Sequence, residues 1–140
     1  MEFFPVFMDL GGRDCLVVGG GTVAARKLGR LLRAGASVEV VAPQLCEKLV
    51  ALRDAGKIRH SARAFEAADV EGKALVIAAT SREAVNRSVS ELAKARNIPV
   101  NVVDQPELCS FIVPSIIDRS PVQVAVSSGA TSPVLARLLR

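Results

Sequence analysis

The chain has no tryptophan, no tyrosine and only five phenylalanines among its 140 residues. Readers of nucleic acid concentrate cations in a patch and often stack bases on aromatic rings. Here the 18 lysines and arginines are dispersed, so a nucleic-acid partner is not expected, and the net charge of +4 points instead to a small acidic ligand. Histidine is nearly absent as well: His60 stands alone, and one histidine cannot build a metal site by itself. The three cysteines, Cys15, Cys46 and Cys109, are odd in number and widely spaced, which suits neither a zinc knuckle nor a redox dithiol. They read as reduced thiols buried like small hydrophobes, and no protein metal site is expected. No apolar run approaches the roughly eighteen residues of a membrane span, and no basic region precedes the apolar part of MEFFPVFMDL. The expectation is a cytoplasmic protein with no membrane partner, built on one core.

What is present is an alternation of apolar runs and amphipathic stretches. Asp14 to Val18 is short, apolar and bounded by glycines, as a strand buried on both faces would be. Val23, Ala24, Leu28, Leu31 and Leu32 then fall on one helical face, with Gly35 as the stop. Ser37 to Val41 is again strand-like, which completes a right-handed βαβ unit. A weak helix over Cys46 to Ala55, a short strand over Ile58 to Ala62 and a buried strand over Ala74 to Ala79 follow. Thr80-Ser81-Arg82-Glu83 has the spacing of a capping box for a helix running to about Arg96, and Val100 to Val103 forms a fifth strand. The pattern predicts an α/β fold with a Rossmann-like, doubly wound, mostly parallel sheet. After Asp104 the pattern changes: Phe111 to Asp118 and Val122 to Ser127 read as a hairpin around Arg119-Ser120-Pro121. Pro133 to Arg140 reads as a helix with an apolar stripe and no C-terminal cap, as if the chain were cut from something longer.

Between the first strand and first helix, Gly19, Gly21 and Ala24 fit G-x-G-x-x-A. The first glycine permits a tight turn, the second lets a pyrophosphate approach the backbone, and the small third residue lets helix and strand pack. N–H groups at the helix start would face the phosphates. The acid that commonly grips the ribose is missing: Val41-Ala42-Pro43-Gln44 stands where it belongs, and Glu39 lies inside the strand, facing elsewhere. Backbone groups and Gln44 would have to serve the ribose. His60, in an edge strand beside Arg59, reads as a surface residue. Ser127 and Ser128 have no histidine placed to activate them, which argues against a hydrolase triad. Asp104 follows the fifth strand, at the sheet edge where doubly wound folds bind ligands. Spacing alone leaves it either a ligand-facing carboxylate or a turn residue ahead of Pro106.

Four stretches carry a family resemblance: FPVF at Phe4 to Phe7, RDCLVVGGGTVAARK at Arg13 to Lys27, NVVDQP at Asn101 to Pro106, and SFIVPSIIDRSPVQVAVSSGATSPVLARLLR at Ser110 to Arg140. Almost end to end, the chain resembles the N-terminal precorrin-2 dehydrogenase and sirohydrochlorin ferrochelatase module of siroheme synthases. The resemblance implies NAD-dependent oxidation of precorrin-2 to sirohydrochlorin, followed by insertion of ferrous iron, a substrate, to give siroheme. It implies an NAD-binding Rossmann domain over residues 1–112, and over 113–140 the start of a dimerisation and tetrapyrrole-binding region, hence a homodimer. By motif, Asp104 resembles the family's catalytic aspartate, a base in both steps. Thr22, Val23, Pro43 and Gln44 resemble its NAD contacts, and Ser128 a serine near the tetrapyrrole where a phosphate would repel the substrate's carboxylates. An aspartate with a pKa of about 3.9 in water is a weak base, so burial or hydrogen bonding would have to strengthen it. Of the basic residues, Arg119 is the one nominated near the site.

Two other readings stand beside this one. A nucleotide-sensing regulatory Rossmann domain has a similar size, but such domains usually carry the missing ribose acid, and that reading leaves Ser110 to Arg140 unexplained. A purely structural fragment whose glycine turn binds nothing is the third, and a titration with NAD separates it from both.

Overall fold

In a computed structural model, residues 1–128 are described, and the contacts divide the chain into two compact units. Phe7–Ser110 forms one; Met1–Val6 and, of the described residues, 111–128 form the other.

The larger unit is built on five parallel strands, β1 (Asp14–Val18), β2 (Ser37–Val41), β3 (Arg59–Ser61), β4 (Leu75–Ala78) and β5 (Val100–Val102), in the order β3-β2-β1-β4-β5. Cys15 to Val18 and the whole of β4 are buried, as strands covered on both faces must be. Three helices connect them: α1 (Thr22–Arg33), α2 (Glu47–Asp54) and α3 (Glu83–Ala95). From β1 the chain moves outward to β2 through α1, and from β4 it moves the opposite way to β5 through α3. Right-handed crossovers in opposite directions place the two helices on opposite faces. Between β1 and β4 the carboxyl ends therefore splay into a crevice, the switch point of a doubly wound sheet. Registers Val18↔Val41 and Val18↔Ala78 align the three strand ends that floor it.

Under α3, Leu16, Val18, Val76, Val89, Ala93 and Val100 pack into the main core. Gly35, at φ +81, ends α1 as expected: its N–H donates to Leu32 O and that of Ala36 to Leu31 O, capping the last carbonyls. The expected capping box at Thr80 does not form. Helix α3 starts later, with Arg82 at the N-cap and no side-chain cap. Buried Asn86 competes for Thr80 instead: its Oδ1 accepts from the Thr80 N–H and hydroxyl (3.2 and 2.7 Å), and its amide donates to the Thr80 carbonyl (3.0 Å).

In the smaller unit β6 (Ser115–Arg119) and β7 (Val122–Val126) pair antiparallel, Ser115 opposite Val126, as the expected hairpin. Its first strand begins after Pro114, which has no N–H for a ladder, rather than at Phe111. The helix expected over Pro133 to Arg140 lies outside the described residues.

Candidate nucleotide cleft

The crevice at the carboxyl ends of β1, β2, β4 and β5 is a cleft of about 840 Å³, and Gly19, Gly21, Thr22, Val23, Pro43, Gln44 and Asp104 all line it. The three glycines have different tasks. Gly19 sits at φ +128, donates to Val41 O (3.1 Å), and a Cβ there would run into the Ala79 carbonyl. At Gly20 a Cβ would run into the Gln44 carbonyl, and its own carbonyl accepts from Cys46 N–H at 2.7 Å. Gly21 has no neighbour within 4 Å of an added Cβ and opens into the cleft. The glycine pattern treats Gly20 as a free position; its need for glycine comes from the returning Pro43–Gln44 strap, which spacing cannot show.

Helix α1 begins at the cleft with its terminus undressed. Its N-cap is Gly21, no side chain caps it, and no acid occupies its first turn. The first N–H groups of a helix lack intrahelical partners, and here only the cleft is offered to them. This arrangement fits a nucleotide pyrophosphate: anion-seeking N–H groups, half a positive charge from the helix, and space where a Cβ would stand.

Glu39 faces elsewhere, as expected, its carboxylate held by Lys73 (3.4 Å) and by the Ser61 hydroxyl (3.0 Å). His60 is not the surface residue the sequence suggests. It is half-buried opposite Val40, and its Nε2 lies 2.8 Å from Ala42 O. A carbonyl only accepts, so Nε2 carries the proton and donates. That bond braces the strap that bears Pro43 and Gln44. The neighbouring rim, Ala64 and Phe65, is braced by Arg63, whose guanidinium donates to both oxygens of Asp69 (2.9 and 2.6 Å). That hydrogen bond outweighs burial and holds the Asp69 carboxyl below the usual carboxylate range.

Among the described residues lining the cleft, Asp104 is the one carboxylate and Arg82 the one cation. Arg119, nominated from sequence, lies in β6 of the smaller unit, and Ser128 follows β7 in that unit. Asp104 is both things its spacing allowed: a turn residue at φ +63 and a cleft-lining carboxylate. Aspartate tolerates this left-handed region better than most residues, and such backbone is enriched at functional sites. The turn is fixed by Val103 N–H on Ala78 O (3.0 Å), Gln105 N–H on Val102 O (3.2 Å) and Val102 N–H on Cys109 Sγ (3.1 Å). Asp104 is exposed in this turn. Burial pushes the thiols of Cys15 and Cys109 up, which keeps them protonated and fits their reading as small hydrophobes. No group of three or more potential metal ligands occurs among the described residues, and no described helix is long and apolar enough to cross a membrane.

A doubly wound sheet, a glycine turn at its switch point and an undressed helix terminus define a dinucleotide-binding Rossmann-like domain. The family model described as NAD(P)-binding matches residues 6–115, and the chain belongs to that family. More particularly, the whole chain is similar to part of the siroheme synthases of Thioalkalivibrio sulfidiphilus (64% identical over 140 residues, 29% of that protein) and Methylobacillus flagellatus (62% identical, 30% of that protein). The chain thus spans under a third of the length of these relatives. Among solved structures, SirC, a precorrin-2 dehydrogenase, superposes with a TM-score of 0.83 at 28% identity, over 98% of this chain and 67% of SirC.

Proposed function

We propose that the chain oxidises precorrin-2 to sirohydrochlorin with NAD as hydride acceptor. The observation that carries this reading is Asp104, the one carboxylate among the described residues lining the cleft, held at φ +63 on the same crevice as the N-terminus of α1. The names of the similar proteins supply the substrate.

The N–H groups opening α1 and the space at Gly21 would hold the pyrophosphate, with Thr22 and Val23 beside it, and Pro43 and Gln44 would serve the ribose that no acid grips. NAD, when bound, supplies the acceptor for the hydride. Loss of a hydride from precorrin-2 leaves a proton to be removed, and Asp104 is the base that takes it. A macrocycle laid over the exposed carboxylate would strip its water and strengthen it in that task. The same base would serve the second step, insertion of ferrous iron, in which the substrate iron displaces two pyrrole protons. The macrocycle's four nitrogens ligate the iron, so the protein needs no ligand cage of its own. Ser128 would lie near the tetrapyrrole, and its phosphorylation would repel the carboxylates there. The working form is a cytoplasmic homodimer.

The test is an absorbance assay with precorrin-2 generated in place. The sirohydrochlorin spectrum should appear only with NAD, with one reduced nicotinamide per product, and should change to that of siroheme on addition of ferrous iron. Product formation independent of NAD, or no product at all, would reject the reading.

A further inference from the structure

Helix α1 carries an unusual face. Val23, Arg26, Lys27 and Arg30 stand at positions i, i+3, i+4 and i+7, so they share one side of the helix. Val23 lines the cleft, and Lys27 and Arg30 follow about 6 and 10 Å farther along the axis. None of the three cations has an ion pair or hydrogen bond among the described residues. Of the other described cations, Arg53, Arg59, Arg63, Lys73, Arg87 and Arg96 have acidic partners, in turn Asp54, Asp14, Asp69, Glu39, Glu83 and Glu71.

An unmatched cluster has a cost. Like charges at i, i+4 destabilise a helix, and Arg26 and Arg30 have that spacing. Lys27 is half-buried between them, and burial, then Arg30 and Arg26, hold its ammonium below the usual lysine range. The carboxylate of Asp104 opposes this shift, so the cluster and the proposed base share one local field. The cluster is left open to an anion from outside the described chain, and Lys27 feels the charge of Asp104.

We propose that the Arg26–Lys27–Arg30 face is a subsite for the carboxylate side chains of the tetrapyrrole, orienting the macrocycle beside Asp104. The inference rests on the tetrapyrrole reading of the cleft. The pyrophosphate is served at the start of α1, one to two turns away, which leaves these cations for the second ligand. A macrocycle edged with carboxylates matches three cations strung along one helix face, and it brings no phosphate or base for which the chain lacks aromatic platforms.

Fluorescence quenching of uroporphyrin, with eight carboxylates, and coproporphyrin, with four, tests this on the intact chain. The unmodified chain should prefer uroporphyrin, with an affinity that falls as salt rises. The Lys27→Met/Arg30→Met variant should bind uroporphyrin about tenfold more weakly or worse and lose the preference, while Lys27→Arg keeps it. NAD affinity by calorimetry should be unchanged in both, which also reports an intact fold. Equal porphyrin binding by the double variant, no porphyrin binding by the unmodified chain, or weakened NAD binding with porphyrin affinity retained would each overturn the subsite. Porphyrin binding through these residues without oxidation of precorrin-2 would support the subsite and reject the enzymatic reading alone.

Discussion

The two halves of the cleft are made differently. On the β1–β2 side, glycine turn and Pro43–Gln44 strap meet backbone to backbone, with no charged side chain among the described lining residues. On the β4–β5 side the lining includes the charged pair of the site, Arg82 and Asp104. The contrast separates holding from reacting: one half offers N–H groups and space, which suit a constant cofactor, and the other offers side chains, which suit chemistry. Substitutions should therefore have separable effects according to the half they touch.

Gly20→Ala should break the first half outright. Its Cβ would run into the Gln44 carbonyl, and the strap is tied to Gly20 itself by the Cys46 N–H on Gly20 O, so relaxation is limited and a loss of roughly 3 kcal/mol is expected, seen as a lower urea midpoint. Gly21→Ala sharpens the point, because its Cβ meets nothing in the protein. The urea midpoint should stay put while NAD affinity falls about tenfold by calorimetry, since the methyl fills the space proposed for the pyrophosphate. Equal effects at the two glycines would mean that the turn is structural throughout.

A smaller effect is expected at His60. Removing its bond to Ala42 O in His60→Ala should raise the KM for NAD a few-fold, about 1 kcal/mol, with kcat unchanged. His60→Gln, which can still donate, should recover part of it. The smallest effect concerns the rim. The folded-state pKa of Asp69 is depressed, so its bond to Arg63 contributes stability above the unfolded carboxylate value of about 3.9, and that contribution is lost as pH falls through the lower folded value. The gap in Tm between the unmodified chain and Asp69→Asn should be open at neutral pH and close under strong acid. A gap independent of pH would show that the carboxylate's charge is not what braces the rim.

Much of the fold was legible because the strands are buried on both faces: Asp14–Val18 and Ser37–Val41 have the bounds their apolar runs suggest. The site was legible where one segment carries its own meaning, as in Gly19, Gly21 and a carboxylate just past a strand. What escaped depends on segments far apart in sequence. The bond of His60 to Ala42 needs the pairing of β3 with β2, and the crowding at Gly20 needs the returning strap. Thr80 has the spacing of a capping residue, but Asn86, buried one turn into α3, takes its hydroxyl. The place of Arg82 in the cleft lining escaped with it, since Arg82 is the N-cap of the helix that starts late.

The separation of holding from reacting is tested most directly with Asp104→Asn, in which NAD affinity and the rate of precorrin-2 oxidation are measured on one preparation. Asparagine keeps the left-handed turn and removes the proposed base. The expected result is an unchanged NAD dissociation constant with kcat lower by about 100-fold or more. A variant that oxidises precorrin-2 at the full rate, or one that loses NAD binding in step with activity, would contradict it.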